Sequence, residues 1–209
     1  MKNNLPTQQA INNISYGLYV LSVKDNKGFD NACIINTFMQ VNSAAEPTFV
    51  FSVAKQNLTC DILQKTKTCN VSIITTAADF DFFKKFGFVS GREKNKFAEC
   101  KNIYRAKNGI AYIKKECNAY FSLKITSTIN LDTHIMFLAT VQECEELSNI
   151  ESITYSYYHK NTKPKFKTEE KKTMGYRCTI CDYVLEEETL PADFICPLCA
   201  HGASDFVKV

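Results

Sequence analysis

No stretch of this 209-residue sequence approaches the ~20 uninterrupted apolar residues that a membrane-crossing helix needs. The start, Met1-Lys2-Asn3-Asn4-Leu5-Pro6, lacks the apolar run of a secretory signal, so the expectation is a cytoplasmic protein with no membrane partner. Tryptophan is absent, and there are only 7 glycines. The first 159 residues contain no phosphate-binding loop and no Gly-x-Gly-x-x-Gly after a strand, which disfavours a doubly wound nucleotide fold. Disorder is excluded as well, because 45% hydrophobic and 22% charged residues is the balance of a folded soluble chain.

What is present divides unevenly along the chain. The net charge of +3 hides a carboxyl-terminal segment from Tyr176 to Val209 with two basic residues (Arg177, Lys208) and six acidic ones, a net of −4, so the remainder carries +7. The lysine-rich stretch from Lys160 to Lys172 carries one aromatic, Phe166, but no aromatic-interleaved basic motif or recognition helix accompanies it. It reads as a solvated linker, and nucleic acid is not an expected partner. Of ten cysteines, four sit in two C-x-x-C pairs. The other six (Cys33, Cys60, Cys69, Cys100, Cys117, Cys144) read as reduced core thiols.

Before the linker the periodicity is mainly that of strands. Ile14 to Val23 is rich in Tyr, Val, Leu and Ile, Thr48 to Ala54 reads as a short buried run, and Cys69 to Thr75 repeats that pattern, so all three are expected strands. Ala119, Phe121, Leu123 and Ile125 alternate with Tyr120, Ser122, Lys124 and Thr126, and Ile135, Phe137, Ala139 and Val141 repeat the pattern after the turn-like Asn130-Leu131-Asp132. Two neighbouring antiparallel strands with one buried face are expected. Short helices are expected over Thr59 to Lys67 and Ala78 to Phe86, the second opening at Asp79 or Ala78. The domains are therefore 1–159, a linker at 160–175 and 176–209. If flexible, the 16 linker residues would span about 20 to 24 Å r.m.s..

Cys178-Thr179-Ile180-Cys181 and Cys196-Pro197-Leu198-Cys199 are two knuckles separated by 14 residues. Four thiolates from such a pair converge tetrahedrally on one ion, and spacing alone leaves iron and zinc open. The surrounding residues, Tyr176, Asp182-Tyr183, Leu190-Pro191-Ala192-Asp193-Phe194 and Phe206, resemble rubredoxin. That resemblance implies one iron ion cycling between ferrous and ferric on Cys178, Cys181, Cys196 and Cys199, under an aromatic cover of Tyr176, Tyr183, Phe194 and Phe206. The pattern departs from the family at Asp182 and Ala200, where glycine is usual, at Phe194, where tryptophan is common, and in a shortened loop between the knuckles.

The first domain carries Tyr16-Gly17-Leu18-Tyr19-Val20, Asn36-Thr37-Phe38-Met39-Gln40-Val41, Lys55-Gln56-Asn57-Leu58-Thr59, Phe86-Gly87-Phe88-Val89-Ser90-Gly91-Arg92, Lys96-Phe97 and Thr133-His134. These resemble the flavin reductase or flavoredoxin family. The resemblance implies a split β-barrel that binds FMN, a homodimer, and flavin contacts at Asn36, Thr37, Ser43, Lys55, Gln56, Asn57, Thr59, Ser90, Gly91, Arg92 and Lys96. Hydroxyls and cations of that set suit a phosphate dianion, and the amides suit the isoalloxazine edge, with Phe86 or Tyr158 as candidates for stacking. Each residue also has an ordinary reading: Asn36-Thr37 as a turn, Lys55 and Lys96 as surface charges, Thr59 as a helix N-cap, His134 as a structural histidine.

Joined, the two modules imply an oxidoreductase that takes electrons from NADH, NADPH or an upstream reductase and passes them through FMN and iron to a partner redox protein. By resemblance, that partner is of the diiron flavoprotein kind that reduces oxygen or nitric oxide. The alternative is a flavin reductase that releases reduced flavin, with a structural zinc-ribbon tail as an interaction module.

Overall fold

A computed structural model describes residues 13–98, 100, 103–164, 175–179, 183–197 and 201–209. Its main sheet contains β1 (Tyr19–Lys24), β2 (Asp30–Ile35), β3 (Phe38–Gln40), β4 (Thr48–Ala54), β5 (Thr68–Ile74), β8 (Cys117–Asn130) and β9 (His134–Glu146). All pairs are antiparallel, in the order β2-β1-β5-β8-β9-β4-β3. The two edge strands of that order, β2 and β3, are consecutive in the chain and joined by Asn36 and Thr37 alone. A residue spans at most about 3.6 Å, so the sheet must curl until its edges nearly meet at this corner.

The curl has a local cause. Register slips between β8 and β9 at Ser122/Leu123 and Ile125/Ser127, and between β5 and β8 at Ile73/Ile74. Each extra residue bends its strand and steepens the twist. The product is a half-open barrel, as the sequence implied, with its split beside Asn36.

The barrel interior holds Leu21, Val23, Phe51, Val53, Val71, Leu123 and Phe137, plugged by Cys60, Ile62 and Leu63 of helix α1 (Leu58–Thr66). A second cluster on the other face gathers Leu18, Val20, Ala32, Ile74, Phe83, Phe86, Phe97 and Tyr158. Strand β1 feeds both clusters, Leu21 into one and Val20 into the other, and reads as a continuous apolar run for that reason.

Several local expectations hold. Strand β4 spans the expected residues, and Asp79 caps helix α2 (Phe80–Phe83) by accepting from the Phe82 N–H at 2.9 Å. Others are corrected. Strand β1 begins at Tyr19, with Gly17 only bridging to Thr154. The N-cap of α1 is Asn57, which places Thr59 inside the helix. After α2 the chain widens into a π-helical turn, Lys84–Phe88. Tyr120 and Ser122, expected to face solvent, are each only 2% exposed. They are covered by the loop before β7 (Ala111–Tyr112), which pairs with β6 (Tyr104–Arg105). Tyr112 stacks on Tyr120 at 3.9 Å, and the Asn108 amide donates to Ser122 Oγ and Asn70 Oδ1, both at 2.8 Å.

Helix α3 (Tyr155–Tyr157) runs into a second π-helical turn, Tyr158–Thr162, in which Tyr158 packs on Phe83 at 4.5 Å. The rest of the expected linker, 165–174, lies outside the described residues. In the tail, β11 (Val184–Leu185), β10 (Tyr176–Cys178) and β12 (Phe206–Lys208) form a small sheet in that order. It encloses Cys178, Leu185, Cys196 and Phe206, flanked by Tyr176, Tyr183 and Phe194. Among the described residues, no helix is long and apolar enough to cross a membrane.

Candidate functional site

The split corner opens onto two adjoining cavities of about 270 and about 210 Å3, which share Ile34 and Asn57. Gln56, Asn57, Thr59, Ser90, Gly91 and Lys96 line the larger one, brought there by the entry to α1 and by the loop that follows the first π-helical turn. Asn36 lines the smaller, with Ser52, His134 and Tyr155. Among the described residues, no aspartate or glutamate lines either cavity. A larger hollow of about 820 Å3 elsewhere carries Asp79, Asp81 and Glu116 beside its lysines, so volume does not distinguish the corner; its charge does.

Lys96 sets that charge. Its side chain is almost wholly enclosed, with the residue 6% exposed, and Nζ donates to the Phe86 carbonyl at 2.8 Å. Desolvation by burial lowers its pKa below the ordinary lysine value, partly countered by the Cys33 thiol nearby. Burial likewise pushes the Cys33 thiol up, so it is a packing residue at neutral pH and not a nucleophile. An anion entering the cavity would meet an ammonium with no competing carboxylate among the described residues.

Around this cation the walls are tightly held. The Thr59 hydroxyl donates to Asn31 Oδ1 at 2.7 Å, and Asn31 is 5% exposed. A Cβ on Gly91 would collide with the Asn31 side-chain amide, so only glycine lets the 90–92 loop pass this close. Gly91 is needed here for space, since no positive φ is involved.

The remaining expected flavin residues lie elsewhere. Thr37 Oγ1 accepts from the Ser52 N–H at 3.0 Å and meets Ser52 Oγ at 2.8 Å, tying β3 to β4. Ser43 is exposed beyond β3. Lys55 donates to the Asp132 carbonyl at 2.8 Å in the β8–β9 turn. Arg92 pairs with Asp61 at 2.6 Å and lines a separate hollow of about 200 Å3. Neither stacking candidate lines the corner, because Phe86 and Tyr158 are buried in the second cluster. Phe88 and His201 do line the larger cavity, and neither was among the expected flavin contacts, although Phe88 lies in one of the motifs that carry the resemblance. Phe88 sits in a π-helical turn, which has no sequence signature, and His201 comes from the tail.

In the tail, Cys178 and Cys196 are buried, at 0% and 1% exposure. The two knuckles start alike: the Cys178 N–H donates to the Tyr183 carbonyl and the Cys196 N–H to the His201 carbonyl, each at 2.8 Å and each five residues on. Cys181 and Cys199 lie outside the described residues, as do Asp182 and Ala200. The chemistry of two buried thiols, each opening an equivalent turn beside an aromatic cluster, fits a tetrathiolate ion site.

Residues 11–165 match the flavin reductase like domain family. The chain belongs to that family. Residues 176–207 match the rubrerythrin, rubredoxin-like domain. The chain is 31% identical to the high molecular weight rubredoxin of Moorella thermoacetica, over 96% of this chain and 99% of that protein. It is 28% identical to the NAD(P)H ferric-chelate reductase of Archaeoglobus fulgidus, over 75% of this chain and 91% of that one. In fold, an FMN-binding protein from Thermus thermophilus superposes with a TM-score of 0.60 at 19% identity, covering 71% of this chain and 79% of that one. This flavin reductase-like oxidoreductase thus carries a rubredoxin-like domain in the same chain.

Proposed function

We propose that the protein is an electron carrier that takes electrons from NAD(P)H onto FMN bound at the split corner. It passes them singly to one iron ion on Cys178, Cys181, Cys196 and Cys199, and on to a downstream redox protein. The observation that carries this reading is the cavity pair around the buried Lys96, lined by no carboxylate among the described residues, in a chain whose tail buries Cys178 and Cys196. Flavin supplies the conversion between a two-electron donor and a one-electron acceptor, and the protein supplies position and electrostatics.

The residues divide that work by chemistry. Lys96 and the Ser90 hydroxyl offer charge and a donor to a phosphate dianion, while the Gln56, Asn57 and Asn36 amides offer donors and acceptors to a heterocycle edge. Asn31 and Thr59 hold β2 against α1 and so fix the wall. At the metal, the aromatic cluster limits water near the sulfurs, and an outer-sphere carrier needs no open coordination position.

A visible spectrum and metal analysis of the as-isolated protein test the reading directly. Flavin bands with ferric-thiolate absorption, both bleached by NAD(P)H under argon, are expected. Full zinc occupancy in protein made in iron-replete, oxygen-free cells would overturn it and favour a flavin reductase with a structural tail.

A further inference from the structure

We infer that the rubredoxin-like domain docks on the flavin cavity of its own chain, with His201 as part of the cavity wall and Phe88 as the residue that seats it. The inference deepens the electron-carrier reading and rests on it.

Two contacts made by different residues place the bodies together. His201, from the turn after the second knuckle, lines the 270 Å3 cavity with Gln56, Asn57, Ser90 and Lys96. Phe88, from the π-helical turn of the first domain, packs against the tail's own core of Cys178, Leu185, Cys196 and Phe206. Each body therefore lends one side chain to the other. Phe88 is the last residue of the π-helical turn and is only half-buried, unlike Phe86 within the same turn. Charge agrees, since the tail carries −4 and the rest of the chain +7.

The arrangement has a consequence for the route. The His201 carbonyl accepts from the Cys196 N–H at 2.8 Å, so one residue touches both the cavity and the backbone of a metal ligand. Only that residue and one hydrogen bond separate the cavity wall from a ligand cysteine. His201 is a positioning residue in this scheme. It brings the knuckle to the flavin, while Phe88 anchors the pair from the other side.

The test uses full-length protein loaded with FMN and iron. Light-driven reduction of the flavin, followed at the iron bands, should give a first-order transfer rate independent of protein concentration. Phe88→Ser and His201→Ala should each slow that rate at least tenfold, and amide exchange should rise in residues 86–91 and in the turn at His201. The ferric-thiolate spectrum of His201→Ala reports whether the ligand set survived, and Phe88→Ser lies far from it in sequence. Mixing the two variants then separates the routes. A junction within each chain stays broken in every mixed dimer, whereas a junction between chains would be rebuilt from the intact Phe88 of one and the intact His201 of the other. Recovery of the rate on mixing overturns docking in cis. So do unchanged rates and exchange in both variants of a protein that still binds flavin and iron. Failure of the wild type to bind FMN or iron instead overturns the carrier reading itself.

Discussion

Thr59 donates its hydroxyl to Asn31 Oδ1 at 2.7 Å, which locks the first turn of helix α1 to strand β2 at the wall of the larger corner cavity. Asn31 is in turn crowded by Gly91, whose missing side chain is what makes room for it. Gly91→Ala should therefore destabilise the protein by about 1–3 kcal/mol through overpacking, a drop of several degrees in melting temperature. Asn31→Ala should cost a similar amount by orphaning the Thr59 hydroxyl. The double variant should lose less than the two single losses added together, because the alanine at 31 vacates the space that Gly91→Ala needs. Additive losses in thermal denaturation would show that the two residues do not compete for that space.

Lys96→Gln should weaken FMN binding at least tenfold, about 1.4 kcal/mol, while leaving the empty protein as stable as before or more so. The reason is that the fold already disfavours the buried ammonium. Burial lowers the Lys96 pKa, so the penalty is fully present below its folded pKa and is relieved as pH rises from there toward the ordinary lysine value. A bound phosphate acts oppositely and favours the ammonium. FMN affinity should therefore be highest at pH values between the second phosphate ionisation, near ~6, and the lowered Lys96 pKa, and fall on the alkaline side. Titration calorimetry in buffers of different ionisation enthalpy should show proton uptake on binding in that alkaline window. An alkaline limb identical in Lys96→Gln would remove Lys96 from the explanation.

Removing the metal should unravel the tail and spare the barrel. The tail's core among the described residues is Cys178, Leu185, Cys196 and Phe206 with a few half-buried aromatics, too little apolar surface to offset chain entropy without a metal. Cys196→Ser, or chelation of the wild type, should abolish the visible thiolate bands and the amide protection of 175–209. The barrel, with two cores of its own, should keep its strand signal. A tail that stays protected after chelation would mean that docking on Phe88, and not the ion, holds it together.

Strands whose two faces differ were legible in the amino-acid order. Ile135 to Val141 shows period-two alternation because one face meets the barrel core and the other does not, whereas Thr48 to Ala54, expected as a buried run, buries only every second residue. Strand β2 was hidden: Asp30 and Asn31 open it with polar groups whose burial is justified only by distant partners, Arg105 on one and Thr59 on the other. Of the expected flavin contacts, those in short segments that turn into the corner (Asn36, Gln56, Asn57, Thr59, Ser90, Gly91, Lys96) come together. Thr37, Ser43, Lys55 and Arg92 are drawn to backbone or to Asp61, or left exposed. Residue type suggested phosphate binding for both groups, and only the register of β3 with β4 and the path of the 90–96 loop separate them. His201 had no local signal at all, because its place is set by how two bodies meet.

The outer face of β5 and β8 holds a further buried polar network. Asn70 is fully buried, its amide donates to the Ile110 carbonyl at 2.9 Å, and its oxygen accepts from Asn108 at 2.8 Å. Asn108 also donates to Ser122, and its own oxygen accepts from the Ile110 N–H at 2.9 Å. This single amide thus fastens the 108–111 loop over two strands and allows Tyr112 to lie flat on Tyr120. Asn70→Ala takes one partner each from the Asn108 amide, which keeps Ser122 Oγ, and from the Ile110 carbonyl, which keeps the Ala106 N–H, and should cost about 1–3 kcal/mol in total. Leucine at 70 matches the volume but restores neither partner, so Asn70→Leu should be no better. Both should lower the denaturation midpoint and expose the 104–112 hairpin to protease before the barrel unfolds, since Asn70 is the side chain that ties the 108–111 loop directly to β5. FMN affinity should change little, because Asn70 lines neither corner cavity. Cooperative loss of hairpin and barrel together, at unchanged midpoint, would show that the loop is held by the tyrosine stack and not by this amide.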